Sequence, residues 1–209
     1  TSKLIQTGNP VRNLESKHAE LLTEAQAFFH LDSTKKTNLV IGGSLGARTL
    51  NESVLNHIQT LVASNVQVIW QCGKNYLSQI EEQFEDSWKS TAQVHAFIQR
   101  MDLAYASADV IISRAGALSV SELTLIGKPC ILVPSPNVAE DHQTKNAMAL
   151  VQQDAAMLVT DAQSKETLVP TAIELLNNPA SCEQLARSIR LLAKPNACME
   201  IVDACESII

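Results

Sequence analysis

The order in which apolar segments follow one another constrains the fold of this chain more than any other feature. Short β-branched runs near residues 38–41, 66–70, 93–98, 109–112, 129–133 and 155–159 predict strands. Amphipathic stretches at about 48–64, 76–88, 119–126 and 142–153 predict helices. Parallel strands need crossover helices and read as continuous apolar runs, because both of their faces are covered. The order therefore predicts an α/β fold with a Rossmann-like, doubly wound parallel sheet.

Outside this alternating region the pattern predicts helices only. Residues 14–30 are amphipathic and follow the turn Thr7-Gly-Asn-Pro-Val-Arg12. Beyond Thr160 the strand-forming runs stop, and patterns at 164–177, 182–193 and 197–209 predict three helices separated by proline-containing breaks. We therefore expect a single large domain, or one domain with an extension.

Composition excludes several classes of protein. The net charge is −6, and Lys35-Lys36 is the only adjacent basic pair, so we expect no nucleic-acid partner. Apolar runs stay far below the roughly 20 residues of a bilayer span, and we expect a cytoplasmic protein. The five cysteines show no C-x-x-C or zinc-type spacing, which predicts structural thiols and neither a metal nor a cofactor.

The loops after the strands are the places to look for chemistry, because doubly wound sheets bind ligands beyond the carboxyl ends of their strands. These loops are 42–47, 71–74, 98–102, 113–118 and 134–143. In Gly42-Gly-Ser-Leu-Gly-Ala-Arg48 a glycine turn leads from a strand into a helix, which predicts a phosphate cradle. The spacing is neither G-x-G-x-x-G nor a P-loop, so it disfavours dehydrogenases and nucleotide hydrolases. A tight turn without a ligand is the alternative.

Two further loops carry candidate ligand contacts. In Ser113-Arg-Ala-Gly-Ala-Leu-Ser-Val-Ser-Glu122 the backbone of 117–119 can face a sugar or phosphate, while Glu122 accepts hydrogen bonds from ribose hydroxyls. Helix capping by Ser119 or Ser121, with Glu122 near the first turn, is an equal alternative. Gln143 and Asn146 share a helix face and can offer amides to sugar hydroxyls.

Some chemistry has no obvious residues in the sequence. There is no Asp-x-Asp pair to hold a divalent metal against a diphosphate. A diphosphate would have to be neutralised by N–H groups, helix ends and an arginine. His142 is the one histidine in a predicted site loop, and a direct role in chemistry is the less favoured interpretation.

Four motifs taken together carry a resemblance. Gly8-Asn-Pro-Val-Arg12, the loop 42–48, the loop 113–122 and Asp141-His-Gln-Thr-Lys-Asn-Ala147 occur in an order that resembles the MurG family. Its members are peptidoglycan N-acetylglucosaminyltransferases of the GT-B fold, with two Rossmann-like domains. The resemblance implies the C-terminal, donor-binding half, either cut from a longer enzyme or naturally separate from its other half.

The resemblance also implies roles for individual residues. Arg12 corresponds to an arginine near the diphosphate, Ser44 to a serine on a phosphate oxygen, and Ile98 to the position whose backbone binds uracil. The loop over the sugar and diphosphate corresponds to Ala117, Leu118, Ser119, Val120 and Ser121. Glu122 corresponds to the ribose-binding acid, and Gln143 and Asn146 to contacts with N-acetylglucosamine, with His142 as an alternative to Gln143. The catalytic base is expected on the N-terminal half.

The implied activity is inverting transfer of N-acetylglucosamine from UDP-N-acetylglucosamine to undecaprenyl-diphosphate-linked muramyl-pentapeptide. That reaction serves peptidoglycan synthesis, and so cell shape and division, at the cytoplasmic membrane face. We expect an interdomain junction and first helix at 1–35, the donor-binding domain at 36–195, and at 196–209 a helix that packs toward the N-terminal domain. A non-catalytic nucleotide-sugar-binding subunit and a UDP-sugar epimerase-like enzyme are the alternatives.

Overall fold

A six-stranded parallel sheet forms the centre of the computed structural model, which describes residues 4–11 and 18–207. The strands are β1 (Lys36–Ile41), β2 (Val66–Gln71), β3 (Ala92–His95), β4 (Val110–Ser113), β5 (Cys130–Leu132) and β6 (Met157–Leu158). Their spatial order is β3-β2-β1-β4-β5-β6, and every neighbouring pair is parallel. The order reverses between β1 and β4. The predicted doubly wound sheet is confirmed, and each of the six predicted strands is present with shifted ends.

Helices cover both faces of the sheet. They are α1 (His18–Phe28), α2 (Arg48–Asn56), α3 (Ile58–Ala63), α4 (Leu77–Gln83), α5 (Met101–Ser107), α6 (Ala117–Ile126), α7 (His142–Val151), α8 (Asp161–Leu176), α9 (Pro179–Arg190) and α10 (Ala197–Glu206). Short 3-10 turns occur at Asp86–Trp88 and Ala139–Asp141. Of the predicted 14–30 helix, residues 14–17 lie outside the described residues.

Two apolar cores lie on opposite sides of the sheet because successive strand residues point to opposite faces. Val40 and Trp70 belong to the core beneath α2, α3 and α8. Leu39 and Ile69 belong to the core beneath α1, α5 and α6. All four side chains are at most 1% exposed. Burial on both faces explains why the strands read as unbroken apolar runs in the sequence. The packed strands in turn hold the loops that follow them in place.

The structure corrects three of the predicted helices. The single helix expected at 48–64 is two helices, because His57 has φ −116° and ψ 14°, outside the helical range. The helix expected at 76–88 ends at Gln83 and is followed by the 3-10 turn. The helix expected from residue 182 begins at Pro179, because the Asn178 side chain caps it by accepting from the Ser181 N–H at 3.1 Å.

One helix was missed altogether. Helix α5 has only seven residues, and five of them, from Leu103 to Ser107, are buried. A helix that is buried on nearly every side shows no polar face, so the apolar spacing that signals an amphipathic helix is lost. Helix α5 packs closely against α1, and this pair of helices covers one face of the sheet near β1.

Candidate functional site

A cleft of about 770 Å³ lies where the strand order reverses, beyond the carboxyl ends of β1 and β4. Its walls come from the glycine loop after β1 with the start of α2, the loop between β4 and α6, the loop after β5, and the start of α8. Doubly wound sheets bind ligands at this position. The sequence predicted three of these four walls.

The glycine loop after β1 is held against the loop after β2. Gly46 has φ +84°, and a Cβ there would lie 2.0 Å from the carbonyl oxygen of Cys72. Gly73 has φ +88°, and its Cβ would lie 2.2 Å from the Gly46 nitrogen. Only glycine permits both the left-handed conformation and this approach. Helix α2 then starts at Arg48 without a side-chain cap, so its first N–H groups stay available to an anion.

The start of α6 forms the opposite wall, and its N-terminus is not capped by a serine side chain as one interpretation of the sequence expected. Gly116 occupies the N-cap position, and no side chain caps the helix. The Ser121 hydroxyl instead donates to the Ala117 carbonyl at 3.0 Å and accepts from the Asn9 side chain at 2.9 Å. Capping by Ser119 or Ser121 was therefore wrong. The first N–H groups of α6 stay available to a ligand, as those of α2 do.

Glu122 lies in the second turn of α6, next to the first turn near which it was expected. It is half-buried, and the buried Tyr105 donates its hydroxyl to Glu122 Oε2 at 3.2 Å. A phenol donating to one carboxylate oxygen fixes the carboxylate's orientation and leaves the other oxygen to accept from a ligand hydroxyl.

Two amides on α7 tie the loops of the cleft together. Gln143 Oε1 accepts from the backbone N–H of Ala115 at 3.2 Å and of Ser135 at 2.9 Å. Asn146 Nδ2 donates to the Ala115 carbonyl at 3.0 Å. These bonds join the loops after β4 and β5. Gln143 lines the cleft.

Arg114 joins three elements at the back of the cleft. Its NH1 group donates to the carbonyl oxygens of Val133 and Pro134, at 3.1 and 3.2 Å, and to Asp161 at the start of α8. Asp161 also accepts from the Thr49 hydroxyl on α2 at 3.0 Å. The guanidinium is therefore fixed in place by bonds to three residues, with a side chain only 14% exposed.

A second ion-pair group lies at the mouth of the cleft. Glu52 pairs with Lys165 at 2.5 Å and with Arg48 at 2.7 Å. A hydrogen bond from Lys165 and a smaller contribution from the one of Arg48 hold the pKa of Glu52 below its usual range. The carboxylate therefore stays ionised. Three cations, Arg48, Arg114 and Lys165, line the cleft against two carboxylates, which leaves one net positive charge there. An anionic ligand is favoured electrostatically by this balance and by the two helix starts.

Two of the predicted site residues line the cleft, and five more lie in or beside the loops that form its walls. Ser119 and Gln143 line the cleft, and Ser44 is exposed in the same loop as the cleft-lining Gly43 and Gly46. Ala117 and Leu118 are exposed at the start of α6, and Val120 and Ser121 line a separate cavity of about 260 Å³ beside Gly8 and Asn9.

The other predicted residues are not among those lining the cleft. Ile98 is buried, and its N–H donates to Gln71 Oε1 at 2.9 Å. Glu122 and Asn146 each lie three residues further along their helices, α6 and α7, than the cleft-lining Ser119 and Gln143. His142 is exposed, with Nδ1 2.8 Å from the Ala139 carbonyl. Arg12 lies outside the described residues.

Sequence reasoning missed Glu52, Asp161 and Lys165. Asp161 could have been found, because it follows β6 just as the predicted loops follow the other strands. Arg114 was inside a quoted motif but had no role. Glu52 and Lys165 carry no local signal, since they lie on exposed or half-buried turns of α2 and α8 and meet only in the folded chain.

Other kinds of site find little support in the part of the chain that the structure describes. No group of three or more His, Cys, Asp or Glu residues there could hold a metal ion. None of the helices described is both long and apolar enough to cross a membrane. Burial raises the pKa of the Cys72 thiol to about 11 and that of Cys130 to about 12, so both stay protonated at neutral pH.

Comparison with known proteins identifies the family. Residues 37–200 match the family model of the glycosyltransferase family 28 C-terminal domain. The chain is 48% identical over 99% of its length to the UDP-N-acetylglucosamine--N-acetylmuramyl-(pentapeptide) pyrophosphoryl-undecaprenol N-acetylglucosamine transferase of Parabacteroides distasonis, covering 56% of that protein. It is 49% identical over 96% of its length to the transferase of the same name from Flavobacterium psychrophilum, covering 54% of it. The chain thus spans about half the length of these relatives.

Solved structures agree with this assignment. The crystal structure of MurG from Acinetobacter baumannii superposes with a TM-score of 0.75 at 28% identity, covering 99% of this chain and 58% of that one. The resemblance to the MurG family and the expected GT-B type of fold are therefore confirmed. The chain belongs to glycosyltransferase family 28, as a C-terminal domain of that family.

Proposed function

We propose that this chain is the donor-binding domain of an inverting transferase. The enzyme moves N-acetylglucosamine from UDP-N-acetylglucosamine to the undecaprenyl-diphosphate-linked muramyl-pentapeptide of peptidoglycan synthesis. One observation carries the proposal: two uncapped helix starts, of α2 and α6, border a single cleft at the strand-order reversal, and its lining has one net positive charge. The relatives that share this fold at 48–49% identity carry the transferase name.

The diphosphate is the part of the donor that this geometry explains best. As the glycosidic bond breaks, negative charge grows on the departing UDP, and groups aimed at that charge lower the barrier. In this chain those groups are the first N–H groups of α2 and α6, with Ser44 as a hydroxyl donor and Arg12 as the arginine implied by the motif. No metal is needed in this arrangement, because the helix starts and cations supply the positive charge.

The nucleoside and sugar ends extend from the diphosphate in opposite directions. We assign the ribose to Glu122, whose orientation Tyr105 fixes, and the uracil to the backbone of Ile98. The N-acetylglucosamine is assigned to Gln143 and Asn146, whose amides already order the loops on that side. Residues 117–121 cover the sugar and the diphosphate. Because hydrogen bonds already hold these amides in place, little further conformational entropy is lost when the ligand binds.

The relatives are about twice as long as this chain. We assign the acceptor site to an N-terminal domain within that additional length. Residues 1–35 would form the junction, 36–195 the donor domain and 196–209 the helix that packs toward its partner. In the described part of the junction, Gly8 lies against Lys194 and Ala197. Leu4, Ile5 and Met199 are 90%, 69% and 63% exposed, and large exposed apolar side chains of this kind suit a docking face. The catalytic base and the contact with the cytoplasmic membrane face would belong to that domain.

Calorimetry on this chain tests donor binding. UDP-N-acetylglucosamine and UDP should bind, and NAD should not. Glu122→Ala should weaken UDP binding by about 1.5–3 kcal/mol, the usual worth of hydrogen bonds to a charged group. Glu82→Ala, at an exposed position on α4, is the matched control and should leave the affinity unchanged. Tight NAD binding without a response to UDP would reject the proposal.

A second experiment tests the transfer. The N-terminal part of the Parabacteroides distasonis relative, added in trans to this chain, should restore transfer of N-acetylglucosamine to a lipid-linked muramyl-pentapeptide. The chain alone should turn over little or nothing. Donor binding without any transfer, with a full-length relative active under the same conditions, would favour the alternative of a non-catalytic nucleotide-sugar-binding subunit.

A further inference from the structure

We infer that Gln71 is a positioning residue that sets the spacing between the phosphate loop (residues 42–47) and the base segment (residues 96–98). The inference rests on the proposed function, because it concerns the same donor. Gln71 is the last residue of β2, and β2 lies between β1 and β3 in the sheet. The phosphate loop follows β1 and the base segment follows β3, so Gln71 stands between the two.

The side chain of Gln71 bonds to both segments at once. Its Nε2 donates to the Gly43 carbonyl at 3.1 Å, and its Oε1 accepts from the Ile98 N–H at 2.9 Å. The Gln71 side chain belongs to a residue that is 2% exposed, and its bond to Ile98 is buried, so water does not compete for that bond. Its own carbonyl accepts from the Gly42 N–H at 3.3 Å, which adds a backbone bond to the same loop. A single amide therefore spans the two segments on which the proposed diphosphate and uracil contacts lie.

The chemistry of the amide explains why glutamine occupies this position. An amide offers a donor and an acceptor in one planar group, and the two segments present one carbonyl and one N–H to it. A glutamate carboxylate would face the Gly43 carbonyl with a second acceptor. A leucine of similar size would leave the buried Ile98 N–H and the Gly43 carbonyl without their side-chain partner. Either change removes the coupling between the two loops.

The coupling should affect a linked ligand more than its parts. UDP carries a base at one end and a diphosphate at the other, so its affinity depends on both subsites being at the distance that the ligand spans. In catalysis, an error of about 1 Å in positioning can cost on the order of 100-fold in reaction rate, and a ligand that must fit two subsites at once is sensitive to the same kind of error. Uridine alone and pyrophosphate alone each need only one subsite. A change in the spacing therefore leaves their affinities unchanged.

The test compares UDP, uridine and pyrophosphate on the whole chain by NMR titration. Gln71→Leu should weaken UDP binding by roughly 10-fold or more, while uridine and pyrophosphate stay within about twofold of the wild type. Gln71→Asn keeps the amide but is one methylene shorter, so it cannot reach both partners. It should give the same pattern if the leucine variant folds poorly.

Gln67 provides a matched control on the same strand. It is 5% exposed, and its amide also joins two segments, bonding to the backbone of Asp32 and to Thr37 at the opposite end of β2. Gln67→Leu should lower the melting temperature about as much as Gln71→Leu and leave UDP affinity unchanged.

Four results would overturn the inference. Unchanged UDP affinity in both Gln71 variants would show that the coupling does not matter. Equal losses for uridine and UDP would indicate a direct contact with the base. Equal losses of UDP affinity in the Gln67 and Gln71 variants would indicate general destabilisation. A wild-type chain that fails to bind UDP at all would refute the proposed function itself, and with it this role.

Discussion

Replacement of Gly46 by alanine tests the contact between the loops after β1 and β2. Gly46 has φ +84°, and an added Cβ would lie 2.0 Å from the Cys72 carbonyl oxygen and 2.7 Å from Tyr76 Cδ2. Real Cβ contacts stay above 3.0 Å, so the loop must move by about 1 Å, and such a shift in a closely packed region costs strain energy. The change therefore adds steric strain to an unfavourable backbone conformation.

Gly43 separates these two contributions. It has nearly the same φ, +83°, but nothing lies within 4 Å of its added Cβ. The left-handed conformation costs an alanine about 1–2 kcal/mol in either variant. Overpacking adds about 1–3 kcal/mol to Gly46→Ala alone. We therefore expect Gly46→Ala to lower the free energy of unfolding by about 2–5 kcal/mol, and Gly43→Ala by only about 1–2 kcal/mol.

Urea unfolding followed by tryptophan fluorescence measures both values, because Trp70 is fully buried between the sheet and α2. With a slope of about 2 kcal/mol per molar urea, a difference of 2 kcal/mol separates the two midpoints by about 1 M. Equal losses of stability in the two variants would refute the argument, because they would mean that the contact with Cys72 exerts no steric constraint. UDP affinity should also fall in Gly46→Ala, since the phosphate loop has moved.

Two further predictions concern single side chains. Tyr105→Phe removes the 3.2 Å hydrogen bond to Glu122 and should weaken UDP binding about 3–10-fold in calorimetry; an unchanged affinity would show that Glu122 needs no orientation. Lys128 donates to the carbonyls of Ala106 and Ala108, and burial lowers its pKa to about 8. Since the unfolded chain keeps this proton up to about pH 10.4, the stability of wild type relative to Lys128→Met should rise between pH 8 and about 10. A difference that stays flat over that range would contradict the shift.

The sequence predicted the sheet better than the helices. Strand runs such as those ending at Ile41 and Gln71 are buried on both faces, so their apolar character is visible without any knowledge of the neighbours. Helix α5 gave no such signal because its surroundings are apolar on nearly every side. The break at His57 was also missed, since the apolar pattern continues across it from α2 into α3.

The candidate site divides in the same way. Glycine spacing and strand ends located the loops at 42–47 and 113–118, and the cleft lies between them. The start of α2 at Arg48 was predicted, but α6 begins at Ala117, two residues before the predicted start. The expected cap was wrong for that reason, because Ser119 lies inside the first turn and Gly116 occupies the N-cap position. Gln143 was predicted as a sugar contact, and only the structure showed that its oxygen binds Ala115 and Ser135.

By itself, the sequence determined the order of strands and helices, the glycine turns at the strand ends and therefore the edge of the sheet where a ligand can bind. These are local properties, set by side-chain periodicity and by backbone conformations that only glycine adopts freely. Only the tertiary structure decided which side chains meet there. Thr49 bonds to Asp161 across 112 residues, Arg114 to Asp161 across 47, and Gln71 to Ile98 across 27. Such contacts depend on how the strands are ordered in space, which no local pattern records.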